Sequence, residues 1–363
     1  MALGCLTDLN RGGVDNDNLE KLLSNLNNGS QLKSLHISTI KYASSHSLAS
    51  SCKHKPVDDG EQSNRSIVNV RGSLSASLLS LGHLSSLSID YEHLSDDLVR
   101  HLSSSSANRL TSLSINVNEL DSAINVNNNL TPHIRDETWQ LARVNNSSLR
   151  VKVNFLMTES TLANNFRYIL NSTMPLETLR MYFCKALNPA MLQYLSDNYA
   201  DTLKSLCVVD SIQSDALRYH VVSSRQDTDP DPLILLCWKC RHLTELVLVG
   251  YEILEINLIA IAKLRSNLKL FYVPMDCIID LTYGKFKDDE FIEDEDGEDT
   301  LIDYGSCSHQ IIDKVCKILK IPSWHPLEKD ELPMCVYDRS ISLEEAFLDT
   351  LIGDQNVNSS SLS

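Results

Sequence analysis

The sequence predicts an α/β solenoid, with parallel strands along the inside of a curved spine and helices along its outside. Three observations predict it. A six-residue phrase with leucine at its first and fourth positions and an aliphatic residue at its sixth returns along the chain: LKSLHI from residue 32, LSSLSI from 84, LTSLSI from 110, LETLRM from 176, LKSLCV from 203 and LTELVL from 243. The fourth positions, with the weaker fits Val151 and Phe271 added, are Leu35, Leu87, Leu113, Val151, Leu179, Leu206, Leu246 and Phe271, in steps of 52, 26, 38, 28, 27, 40 and 25 residues. The segments between the phrases carry apolar residues three and four apart, as a one-sided helix requires.

The base step is 26–28 residues; 52 is two steps, and 38 and 40 are one step plus an inserted loop. A period of 20–29 residues with this spacing is the mark of leucine-rich repeats. Side chains alternate along a strand, so positions four and six bury together while positions three, five and seven face the other way. The helical segments are 17–26, 95–103, 160–170, 188–199 and 255–264. Ser95 or Asp96, Ser160 and Asn188 suit their N-caps, and Pro189 suits a first helical position. One strand and one helix cannot hide their own apolar faces, but stacked copies can. The expected architecture is a horseshoe of the ribonuclease-inhibitor kind over residues 1–280.

Segments outside the pattern follow. Residues 41–68 are polar and Ser-rich, either a mobile insertion or a degenerate repeat with a strand at 67–70; 118–133 and 222–232 read as loops. Residues 285–303 hold ten acids and two lysines, half of the chain's net charge of −16. This reads as a solvated, disordered acidic loop. As a calcium loop it would put Ile292 at the first ligand position and Asp303 at the twelfth, a poor donor set. Residues 304–352 read as a C-terminal cap, with an amphipathic helix in SHQIIDKVCKILKI and a last short helix in SLEEAFLDTLI; 353–363 read as a disordered tail.

Chemistry is scarce. Cys237-Trp-Lys-Cys240 is a CxxC with no second ligand pair, and the eleven histidines form no HExxH or HxH arrangement. There is no GxxxxGK[ST] phosphate loop and no GxSxG elbow. No catalytic, cofactor-binding or metal-ligating residue is therefore assigned. The pI of about 5.1 argues against a nucleic-acid or anionic-membrane binder. No apolar run reaches the roughly 18 residues of a membrane span. Scattered cysteines without a visible secretory signal suit a reducing compartment, cytoplasmic or nuclear. The expected binding surface is the concave face, where positions five and seven supply His36, Asp90, Asn116, Lys152, Asn154, Arg180, Tyr182 and Tyr272. Arg and Tyr are enriched among residues that dominate binding energy. Val247, Val249 and Tyr272 are candidates for cover by the tail that contains Trp324.

The run YFCKALNPAMLQYL completes L-x-x-L-x-[aliphatic]-x-x-C-x-x-L, with Cys184 filling the turn after the strand, and Cys240-Arg-His-Leu243 places a cysteine just before one. These phrases resemble the cysteine-containing leucine-rich repeats of F-box proteins, over roughly residues 15–275, and within that family the F-box only protein 33/39 group. The resemblance implies the substrate-recognition part of an SCF-type ubiquitin ligase, which holds a protein target on the concave face without catalytic residues of its own. Skp1 and cullin would join only through an F-box, a helical module starting near Leu-Pro. The single Leu-Pro here is Leu332-Pro333, followed by MCVYDRS, which lacks that module's apolar pattern. Two alternatives stay open: an F-box-less regulator that binds and blocks a partner, and an enzyme with its chemistry in the C-terminal region.

Overall fold

A computed structural model describes residues 33–37, 84–91, 94–104, 110–118, 134–156, 166–184, 187–212, 219–220, 231–279, 307–332 and 336–337. The expectations for 17–26, 41–68, 285–303, the last short helix and the tail lie outside these residues. The chain divides into two compact units, Met1–Thr178 and Leu179–Ser363.

The first unit is α/β, with β1 (Ser34–Ile37), β2 (Ser86–Asp90), α1 (Asp96–Ser103), β3 (Ser112–Asn118), α2 (Asp136–Asn145) and β4 (Arg150–Leu156). Its strands pair in parallel in the order β1-β2-β3-β4. The repeated phrase fixes the register: Leu35 pairs with Leu87, Leu87 with Leu113 and Leu113 with Val151. Position six follows suit, Ile89 against Ile115 against Val153. All of these side chains except that of Leu35 are at most 1% exposed. Each such burial is worth about 1.5–3 kcal/mol relative to an exposed side chain. A slip of one residue would turn every one of them outward.

Position two of the phrase ties repeat to repeat. The Ser85 hydroxyl donates to Lys33 O (2.9 Å) and the Thr111 hydroxyl to Ser85 O (3.1 Å). The Asn146 amide, at the end of α2, donates to Leu110 O at 2.6 Å. On the helical side Ser95 caps α1 by accepting from Leu98 N, and Leu98, Val99 and Leu102 bury its apolar face. Trp139 and Ala142 do the same for α2, a helix the sequence pattern did not announce.

The two helices are joined by Asp96. Its carboxylate accepts from Arg135 N (3.0 Å), Arg135 Nε (2.8 Å) and the Thr138 hydroxyl (2.6 Å). Partial burial pushes this carboxyl up, but the hydrogen bonds from Thr138 and Arg135 and the guanidinium charge outweigh it, and it lies below its ordinary value. Asp96→Asn is expected to destabilise the first unit by about 1–2 kcal/mol. Because the folded carboxyl is the stronger acid, its contribution is complete above the unfolded value and is lost as pH falls through the folded one. Acid titration of stability should therefore show a shallower loss below pH 3.8 in the variant than in the native chain.

In the second unit, β5 (Leu176–Tyr182), within which the division falls, precedes α3 (Pro189–Asn198) and β6 (Ser205–Val209). β7 (Tyr219–His220), α4 (Pro232–Lys239), β8 (Glu245–Val249), β9 (Tyr251–Leu254), α5 (Glu255–Leu264), β10 (Leu270–Tyr272), β11 (Ile278–Ile279) and α6 (His309–Leu319) follow. The main strands run β5-β6-β8-β10, and Leu206, Leu246 and Phe271 share one register line. Asn188 caps α3 by accepting from Met191 N at 2.9 Å, with Pro189 next to it. Asp231 caps α4, accepting from Leu233 N (2.8 Å) and from the Asn257 amide (2.8 Å).

Beyond the main strands lies a second parallel ladder, β7-β9-β11, which the repeat pattern did not predict. The chain reaches it by bending at Gly250, whose φ of +86° lies in the left-handed region, and Phe183 bends similarly at +54° after β5. Asp210 N donates to Val249 O and Phe183 N to Val209 O, so each strand end is tied to the turn before it. The buried Tyr251 hydroxyl donates to the Asp210 carboxylate and accepts from Leu187 N at 3.3 Å. Burial and that carboxylate hold the phenol above its ordinary range.

The C-terminal segment covers the β10 edge of this unit. Trp324 lies flat on Phe271, with ring centroids 5.5 Å apart, and its Nε1 donates to Phe271 O at 2.8 Å. Leu327 N donates to Val273 O and Met275 N to Leu327 O. At the other end of α6, Ser308 N donates to the Glu255 carboxylate at 2.6 Å. The amphipathic helix expected in this segment is α6, which packs on α5 and buries Ile311, Val315 and Leu319. Among the described residues no helix is long and apolar enough to cross a membrane.

Candidate functional site

The site expected from sequence is two rows of side chains, positions five and seven of each strand. In the first unit the rows exist in register. Position five aligns His36, Ser88, Ser114 and Lys152, and position seven aligns Asp90, Asn116 and Asn154. They differ in what they offer a ligand. His36, Ser88, Ser114 and Lys152 are half-buried. Asp90, Asn116 and Asn154 are at most 5% exposed.

The asparagines spend their hydrogen bonds inside the row. Asn116 Nδ2 donates to the Ser88 hydroxyl (3.3 Å), and Asn154 Nδ2 donates to the Ser114 hydroxyl (3.2 Å) and to Asn116 Oδ1 (2.9 Å). This amide ladder resembles cross-strand polar pairing, in which each repeat fixes the next. His36 is pulled below its ordinary value by burial, against the opposing Asp90 charge, so it is neutral at pH 7. Lys152 is then the cation of this row.

In the second unit Arg180 is half-buried and Tyr182 is 6% exposed. Cys207, Val247 and Tyr272 share a register line at position five, and Val209 pairs with Val249 at position seven. The far end is apolar, as the sequence suggests, and Tyr272 is 42% exposed. Trp324 meets Phe271, the core-facing neighbour of Tyr272, so the tryptophan of the tail covers the sheet edge and not the Tyr272 ring.

The cysteines sit in packing roles. Cys184 is fully buried in the turn after β5, its thiol donating to Tyr182 O at 3.3 Å, and Cys240 ends α4 with no exposure. Burial pushes the Cys240 thiol up to about 12 and the Cys237 thiol higher still. Both are protonated at neutral pH and free, a poor basis for thiolate chemistry. Among the described residues no cluster of His, Cys, Asp or Glu is arranged to hold a metal ion.

Helices and parallel strands in alternation, one phrase on each strand of the main order, a half-exposed polar row and a buried amide row define an α/β parallel-strand repeat protein. Among known proteins the chain is similar to F-box only protein 33. It is 29% identical to the protein of Mus musculus and 27% identical to that of Homo sapiens, in each case over 210 residues, 57% of this chain and 36% of the relative. The likeness is distant and partial, and spans little more than a third of the relatives' own length. No protein-family model matches the chain.

Proposed function

We propose that the chain is a leucine-rich-repeat solenoid serving as a protein-binding scaffold, the substrate-recognition part of an SCF-type ubiquitin ligase that directs its target to degradation. The observation that carries this is the in-register position-five row of the first unit, a half-exposed strand face restated from one strand to the next. Repeat proteins use such faces to hold other proteins. The similarity to F-box only protein 33 supplies the ligase context. Skp1 and cullin are partners through an F-box, and the chain itself supplies the grip on the target.

Within the rows, Lys152, Arg180 and Tyr272 make the contacts that decide affinity, and His36 and the hydroxyl row supply hydrogen bonds; Tyr182, 6% exposed, packs behind them. The buried Asp90, Asn116 and Asn154 position the row instead of meeting the target. Lys152→Glu and Arg180→Glu, tested singly, should each reduce capture of a target by roughly tenfold, since like charge replaces an attractive contact. The experiment compares proteins captured by native and variant chains from proteasome-inhibited cells. It then asks whether a protein lost from either variant is less ubiquitylated when the native protein is depleted. A captured set unchanged by either variant would reject the strand face. A target whose ubiquitylation is unaffected by depletion would reject the ligase and favour a partner-blocking regulator.

A further inference from the structure

The second unit has a basic edge that the strand rows do not include. It lies where α3, α4 and α5 end and β6, β8 and β10 begin. Thr244 N donates to Lys204 O and Lys269 N to Thr244 O, both at 2.8 Å, so the strand mouths stand side by side. Parallel neighbours are about 4.8 Å apart, which puts the Lys204 and Lys269 backbones about 10 Å from each other. Arg241 and His242 are exposed in the turn before β8. Arg265 donates to Trp238 O at 3.4 Å, and the Trp238 ring, at the end of α4, is 59% exposed.

The charge balance here is inverted. The whole chain has 48 acids to 32 bases. Residues 197–204, 238–245 and 263–269 carry six cations, Lys204, Lys239, Arg241, Lys263, Arg265 and Lys269, against three carboxylates, Asp197, Asp201 and Glu245. Asp197 is already engaged by Lys239 at 2.6 Å. Lys239 and Lys263 sit in last helical turns, where they offset the helix dipole. That explanation does not reach Lys204 and Lys269, which stand at strand mouths. Nor does it explain the exposed tryptophan at the end of α4, a residue type enriched where binding energy concentrates.

We propose that this edge docks an acidic, extended segment of a partner protein, with its carboxylates on Lys204, Arg241 and Lys269 and an apolar side chain on Trp238. A short acidic peptide suits the edge better than a nucleic acid. A long polyanion would meet the field of a chain with net charge −16, while a peptide reaches only the local cations.

The probe is a short fluorescein-labelled peptide of alternating Glu and Ser with one central Phe, followed by fluorescence anisotropy against the whole chain. Single-stranded DNA of the same length is the second probe. Saturable peptide binding is expected. Lys204→Glu, Arg241→Glu and Lys269→Glu combined should weaken it by more than tenfold, and Trp238→Ala by about tenfold. The combination Lys204→Arg, Arg241→Lys and Lys269→Arg should retain it. All four side chains are exposed, so circular dichroism should be unchanged throughout. The proposal is overturned if the peptide does not bind, or if the charge-reversed chain binds it equally well. Tighter DNA binding lost in the same variant would also overturn it. So would concentration-dependent self-association in sedimentation that charge reversal abolishes, which would assign the edge to a second copy.

Discussion

Gly250→Ala is expected to destabilise the second unit by about 2–5 kcal/mol. Gly250 ends β8 with φ at +86°, where the chain swings into β9. An L side chain in the left-handed region costs about 1–2 kcal/mol. The added methyl would also lie 2.8 Å from Asp210 C and O, which are backbone atoms and cannot rotate aside. Overpacking of this kind costs about 1–3 kcal/mol more. Asp210 itself is held by Val249 O on its amide and by Tyr251 on its carboxylate, so displacing it loosens the β6 and β8 turns together. Urea denaturation of native and variant chains measures the loss. Gly250→Asn, which tolerates positive φ better but keeps the clash, should recover only part of it. An alanine variant as stable as the native chain would mean that the two strand ends are not in this close approach.

Trp324→Ala is expected to cost about 3–5 kcal/mol of the stability of the segment that closes the β10 edge. Trp324 is 6% exposed, stacked on Phe271, and donates to its carbonyl. Removing it opens a cavity against the last strand and leaves that carbonyl without its indole donor. Amide exchange should then accelerate at Leu327 and Met275, whose N–H groups donate across the same edge. Trp324→Phe keeps an aromatic stack but loses the donor and the second ring, so an intermediate loss of about 1–3 kcal/mol is expected. Equal protection at Leu327 in all three chains would show that the edge is held by other contacts.

How much of this was legible in the sequence differs by level. The strands were, because burial of one strand face imposes alternation and the repeat restates it eight times. All eight anchors lie on main-sheet strands, and the caps Ser95 and Asn188 act where their residue types suggested. The helix Asp136–Asn145 has only a thin apolar pattern, because Gln140, Leu141, Arg143 and Val144 stay exposed; Asp231-Pro232 is a readable start signal for α4 at the end of a polar stretch that otherwise reads as a loop. The β7-β9-β11 ladder carries no leucine phrase and depends on Gly250, whose conformation no pattern of hydrophobicity reveals. The candidate site was legible as rows but not as burial. Asp90, Asn116 and Asn154 read as surface residues because their types usually are. The two asparagines are buried because they satisfy one another and the serines of the neighbouring strands, a property of stacked copies and not of any single phrase.

Register is the property on which the strand rows, the amide ladder and the basic edge all depend. Through-hydrogen-bond scalar couplings in the deuterated chain measure it pair by pair. Expected couplings join Thr111 N–H to the Ser85 carbonyl, Arg150 N–H to Thr111, Thr244 N–H to Lys204 and Lys269 N–H to Thr244. Couplings displaced by a residue, or running from these amides to carbonyls four residues back as in a helix, would contradict parallel in-register repeats and the binding face built on them.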